Sequence, residues 1–159
     1  MILQLHNRFE GYTPYEVLST SASYREVYIA KDDSGGDVCL TVYDLNAMPD
    51  FSNNDRILEF EIIPKLTSDV LPTHISHGHY TEEGKSLRWM VTKYVGRTTL
   101  SDLLCIGYPQ DLSDALHQFY QLLVGVKEIS LRIGDGCHNN LSTDNIIISD
   151  EGDGELTWH

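Results

Sequence analysis

A chain of 159 residues, 41% hydrophobic and 9% aromatic, carries enough apolar side chain for one domain, or for two small lobes, without covalent staples. Eleven Lys and Arg against 24 Asp and Glu leave a formal net charge of −13, a field that repels phosphate backbones and anionic headgroups and so argues against nucleic acid and membrane partners. Cys39, Cys105 and Cys137 form no C-x-x-C motif, and residues 1–8 lack a basic flank with a long apolar run, which predicts reduced thiols, no signal peptide, no transmembrane helix and a cytoplasmic location.

In chain order, residues 15–18 and 26–31 read as two strands, with Val27 and Ile29 on one face and Tyr28 and Ala30 on the other. Between them, residues 19–25 form a polar stretch with small residues and no glycine. Asp32-Asp33-Ser34-Gly35-Gly36-Asp37 is a strong turn signal, after which residues 38–43 return as a third strand. Apolar residues at three- and four-residue spacing predict a helix over residues 56–66, capped within residues 50–52 and kinked or shortened by Pro64. Residues 71–80 read as a fourth strand carrying His74, His77 and His79. A Zn or Ni site there is weighed against ordinary surface histidines, which the lack of a neighbouring carboxylate or Cys favours.

A fifth strand over residues 87–96 runs into a linker, and residues 98–104 form a short helix. Asp111 or Ser113 caps a longer amphipathic helix over residues 115–129, with apolar positions at Ala115, Leu116, Phe119, Tyr120, Leu122, Leu123, Val126 and Ile129. A hairpin of residues 146–149 and 155–158 closes the chain around an Asp- and Gly-rich turn. Asn140-Leu141-Ser142 matches a glycosylation acceptor, which has no meaning in a cytosolic protein.

The polar loop His138-Asn139-Asn140-Leu141-Ser142-Thr143-Asp144-Asn145, followed by Ile146-Ile147-Ile148, resembles the protein kinase catalytic loop, His-Arg-Asp-Leu-x-x-x-x-Asn followed by aliphatics. His138, Leu141, Asn145 and the aliphatic run are in register. Asn139 replaces the Arg, Asn140 the catalytic Asp and Ser142 the usual Lys. The resemblance implies an α+β, kinase-like fold: a five-stranded antiparallel sheet with one packed helix in residues 1–95, then a small partial helical lobe in residues 96–159 that ends in a β-hairpin. It implies further that residues 19–25 stand for the glycine-rich flap and Thr41 for the phosphate-pairing Lys. Glu59 then stands for the helix carboxylate, paired with Thr41 or solvated at the surface. Thr92 becomes the residue beside an adenine pocket, Lys93, Tyr94 and Val95 present backbone groups to adenine, and Asn145 is a Mg ligand.

The departures remove chemistry. An amide at Asn140 takes no proton from a hydroxyl, the hydroxyl of Thr41 offsets no phosphate charge, and no Asp-Phe-Gly follows. Losing a general base alone costs about 10² to 10⁴ in rate. The resemblance therefore implies a non-catalytic, pseudokinase-like interaction or regulatory module without a cofactor, within a larger protein or self-associated. The alternative is a sensor that holds ATP or ADP, with or without Mg, through hinge backbone groups that substitution does not remove. The long helix lacks the elements that cover it in kinases, so a protein partner or a homodimer is expected to cover its open face.

Overall fold

Alternating strands joined by tight turns build the first half of the chain. The computed structural model describes residues 1–49, 58–82, 84–107, 111–133, 142–148 and 154–156. Strands β1 (Thr13–Ala22), β2 (Arg25–Lys31), β3 (Asp37–Asp44), β4 (His74–Glu82) and β5 (Lys85–Lys93) form one antiparallel sheet in the order β1-β2-β3-β5-β4. The β2–β3 turn is held by Asp32, whose Oδ1 accepts from the backbone N–H of Ser34 at 2.9 Å and of Gly36 at 2.8 Å. Gly35 sits at φ +83°, a conformation that costs glycine little. The class is α+β, as expected.

Two sequence expectations are corrected here. The first strand does not end at residue 18: β1 runs on to Ala22 and only Ser23 and Tyr24 turn the chain. Without glycine the segment keeps pairing with β2, and three register shifts along β1 absorb the curvature. The fourth strand starts at His74 rather than Leu71, because Pro72 lacks an amide for the ladder and the Leu71 amide closes a turn onto the Ser68 carbonyl at 3.1 Å.

The register sorts the sheet into two faces. Val17, Tyr28, Leu40, Val91 and Ser76 lie in one row, and Glu26, Val42, Trp89 and Gly78 in the next. This face is covered by an arm, residues 1–12, that the sequence reading left without structure. Leu3 and Phe9 are buried on it, and Ile2, Leu5 and Tyr12 pack beside them. The arm is pinned at its start: the Leu3 amide donates to the Tyr28 hydroxyl at 2.9 Å, the Ile2 amide to Glu26 Oε2 at 2.6 Å, and the Tyr28 hydroxyl to Glu26. Burial acts to raise the Glu26 pKa, but the Tyr28 and Ile2 donors and the N-terminal ammonium outweigh it and hold the carboxyl below its ordinary value. A tight turn, with Glu10 at φ +50° and Gly11 at +94°, then pairs Phe9 with Tyr12 and leads the chain into β1.

Residues 1–60 and 74–94 form one compact unit, and residues 61–73 and 95–158 a second. Helix α1 (Leu58–Ile62) gives way at Pro64 to a 3₁₀ turn, Ile63–Lys65. The expected helix over residues 56–66 is therefore shorter at its end, and its expected cap at 50–52 lies outside the described residues. In the second unit, α2 (Leu100–Cys105) opens on a capping box in which Thr99 and Asp102 satisfy each other's backbone amides. Helix α3 (Leu112–Ile133) is longer than expected, and Asp111 caps it by accepting from the Ser113 amide at 2.9 Å. Strands β6 (Ile146–Ile148) and β7 (Gly154–Leu156) pair antiparallel as the expected hairpin, of which residues 149, 157 and 158 lie outside the described residues.

The core of this unit joins Val70, Leu71, Ile129, Ile146 and Ile148, flanked by Leu66, Leu100, Leu103, Leu122 and Val126. Glu128 ties α3 to the preceding segment, accepting from the Thr67 amide at 2.7 Å and the Ser68 amide at 3.0 Å. No helix among the described residues is long and apolar enough to cross a membrane.

Gly78 tests the packing of the arm-covered face. A Cβ there would lie 2.7 Å from Trp89 Cζ2, and Trp89 is buried. Gly78→Ala is expected to destabilise the sheet unit by about 1–3 kcal/mol in denaturant unfolding followed by tryptophan fluorescence. Unchanged stability would show that the Trp89 ring moves aside freely.

Candidate functional site

The residues that the sequence singled out in the first half lie on the other face of the sheet. Cross-strand partners share a face, so the register writes that face as rows: Ile29, Cys39, Thr92 and His74; then Val27, Thr41, Met90 and His77; then Arg25, Tyr43, Arg88 and His79. Thr41 sits mid-strand on β3, half-buried, with Val27 and Met90 opposite it. Its neighbours in the row are apolar. Thr92 is half-buried in the adjacent row beside Cys39, a buried cysteine.

Glu59 comes over this face from α1, one row farther along than expected. Its Oε2 accepts from the Tyr43 hydroxyl, and its Oε1 lies 3.4 Å from Arg25 Nη2. Arg25 Nε in turn donates to the Tyr43 hydroxyl at 2.7 Å. The expected Thr41–Glu59 pair is thus replaced by a triad with Tyr43 and Arg25. The reason is geometric: Tyr43 shares the face of Thr41 two residues on, and its longer side chain, backed by a cation, outcompetes a short neutral hydroxyl. The alternative of a solvated surface Glu is also set aside, since the Glu59 side chain is only 16% exposed.

Burial opposes the guanidinium charge, yet Glu59 and then Tyr43 outweigh it, and the Arg25 pKa lies above its ordinary value. Burial, and after it Glu59, pushes the Tyr43 phenol well above its ordinary range. The guanidinium therefore keeps its charge and the phenol its proton. Aromatic contacts close the group: Phe60 meets Tyr43 at 5.7 Å and the Arg88 guanidinium lies 4.3 Å from the Phe60 ring centroid.

The other predicted positions are not gathered into this group. Lys93 pairs with Val38 and so belongs to the arm-covered face, with its side chain exposed. Tyr94 ends the sheet unit and is half-buried, while Val95 belongs to the second unit. Asn145, also in the second unit, is buried at the end of a 3₁₀ turn, Thr143–Asn145, and its amide donates to the Ser142 carbonyl at 3.1 Å. The following β6 is fixed by the Ile148 amide, which donates to the Thr98 carbonyl at 2.9 Å. Asn140, His138 and Cys137 lie outside the described residues.

Arg25 and Tyr43, the two partners that the sequence reading passed over, had a usable signal. Tyr43 has the parity of Thr41 on β3, and Arg25 is its direct partner across the hairpin. Among the described residues no group of three or more His, Cys, Asp or Glu side chains is arranged to hold a metal ion. No protein-family model matches the chain, and no curated protein matches it.

Two substitutions grade the triad. Glu59→Ala takes the carboxylate away from a buried guanidinium and is expected to cost about 3–5 kcal/mol. Tyr43→Phe removes only the bridging hydroxyl, and about 1.5–3 kcal/mol is expected for hydrogen bonds to charged groups. Urea unfolding of both variants checks the order; losses under 1 kcal/mol in both would mean that the triad does not hold α1 on the sheet.

Proposed function

We propose that the chain is a non-catalytic, kinase-like interaction module that assembles with a second copy of itself through helix α3. Support for the kinase-like scaffold is the five-stranded antiparallel sheet with its helical segment between the third and fourth strands, followed by a linker, two helices and a hairpin. Support for the absence of phosphoryl transfer lies in the site. The position of the phosphate-pairing Lys is Thr41 among apolar neighbours, and the helix carboxylate, Glu59, is committed to Tyr43 and Arg25. Phosphoryl transfer is mostly positioning and electrostatic stabilisation, and these residues supply neither.

The observation that carries the interaction reading is the outer face of α3. The helix is apolar on two sides. Leu122, Val126 and Ile129 turn to the core of the second unit, while Leu112, Leu116, Phe119, Tyr120, Leu123 and Val124 are exposed, Leu116 and Phe119 at 59% each. Leu112, Leu116, Phe119 and Leu123 recur at four-, three- and four-residue steps, the spacing by which one helix seats its side chains between those of another. So contiguous an apolar stripe marks a binding surface.

Charge selects a second copy as the occupant. Asp111 and Asp114 stand at the start of α3 and Lys127 and Arg132 near its end, so two copies packed antiparallel bring opposite charges together at both ends and oppose their helix dipoles favourably. With Glu128 included, residues 111–133 carry a formal charge of −1, against −13 for the chain. The acidic charge that would keep two copies apart therefore lies elsewhere.

Sedimentation velocity across a concentration series tests this. The chain is expected to form a dimer, and a double substitution, Leu116→Glu with Phe119→Glu, is expected to leave a monomer with unchanged far-ultraviolet circular dichroism, because both side chains are exposed. A wild-type monomer at the highest soluble concentration would overturn self-association. A dimer that survives the double substitution would move the interface away from α3.

A further inference from the structure

Strand β4 is an edge of the sheet, and its pairing with β5 slips by one residue between His74 and Ser76. Such a bulge places an extra residue on one strand, so His74 and His77, three positions apart, turn to the same face. Their rings meet there: His74 Nε2 lies 2.9 Å from His77 Nδ1, with ring centroids 5.0 Å apart. Phe60 lies against the His77 ring at 6.3 Å. Two facing imidazole nitrogens at this distance hold at most one proton between them.

We propose that His74 and His77 form a two-imidazole site for a divalent transition metal of the nickel or copper type. Metal–nitrogen bonds of about 2.0–2.1 Å at right angles place two nitrogens about 2.9 Å apart, whereas a tetrahedral centre needs about 3.3 Å. The 2.9 Å in β4 is the hydrogen bond between the rings. Because it is close to the right-angled spacing, turning the two rings brings both inward lone pairs onto one Ni²⁺ or Cu²⁺ ion without moving the strand, whereas a tetrahedral Zn²⁺ would also have to spread them. The protons balance: the one that bridges the rings moves to the outer nitrogen of its own ring, each imidazole stays neutral with one N–H, and both inward lone pairs bind the metal. Water completes the coordination. His79, two residues on, lies in the row of Arg88 and is not a ligand. The bound metal clamps the bulge and so stiffens the edge strand. The site differs from the three-histidine arrangement considered from the sequence in its ligands, since His79 is not one of them.

Titration of the full chain with Ni²⁺ by isothermal calorimetry tests this, Ni²⁺ being chosen because free thiols such as the exposed Cys105 do not reduce it. One site per chain is expected, weakened about tenfold or more in His77→Gln and in His74→Gln and unchanged in His79→Gln. Thermal unfolding of the wild type, but not of His77→Gln, is expected to rise on adding Ni²⁺. His77 is exposed, so its variant keeps the fold and the comparison stands. Absent binding, binding undiminished in both ligand variants, or binding lost in His79→Gln would each overturn the site.

Discussion

The carboxylate of Glu59, gripped by Tyr43 and Arg25, fixes where α1 meets the sheet, and the arrangement of that face follows from it. Arginine suits the task better than lysine. Its planar fork reaches the Tyr43 hydroxyl through Nε and Glu59 through Nη2 at once. The group is desolvated: Arg25 is 7% exposed and Tyr43 4%. Desolvation makes the removal of one partner expensive, though it does not make the pair strongly stabilising in itself. What the triad supplies is registry. It selects the one placement of Glu59 and Phe60 over the sheet that satisfies both a buried cation and a buried phenol, and Phe60 then meets Arg88 and His77.

The opposite face solves a different problem. A five-stranded sheet with one helix leaves its other side to water unless something covers it, and here residues 1–12 do so with Leu3 and Phe9. Every residue of β2 from Arg25 to Ala30 is buried as a result, a pattern that belongs to a strand covered on both sides. Polar groups on that strand must then be satisfied internally, and they are: Glu26 by Tyr28 and the arm amides, Arg25 by Tyr43 and Glu59. The strand that carries most of the burial therefore also organises the polar groups on each face.

Much of the sheet was legible because its signals are local. Alternation in β2 and β3 and the Asp32 turn between them needed no tertiary information, and Pro64 marked where the helix had to give way. The arm was not legible, because Ile2, Leu3, Leu5, Phe9 and Tyr12 follow neither a period of two nor of 3.6; only the exposed side of a sheet explains them. The bulge that joins His74 to His77 was hidden for a related reason, since it arises from pairing with β5 and not from any glycine or proline in the strand. The triad lay between these cases. Glu59 does reach the sheet face that carries Thr41, but its partners lie one row along, where a long phenol reaches what a threonine does not. The amphipathic pattern of α3 was read as one apolar face, whereas the helix carries two, and only the packing of Leu122, Val126 and Ile129 separates the core stripe from the exposed one.

Arg25 and Glu59 are bound to each other and to the Tyr43 phenol, and the proposal that the chain holds no phosphate rests on that commitment. A thermal-unfolding titration with ATP and with ADP, each with and without Mg²⁺, tests it most directly, because ligand at about 100 times its dissociation constant stabilises a fold by about 2.7 kcal/mol. The account predicts no shift up to millimolar nucleotide in either condition. A shift that requires Mg²⁺ would contradict it by showing that phosphates are held, and one independent of Mg²⁺ would show that an adenine pocket persists and that the chain is a nucleotide sensor.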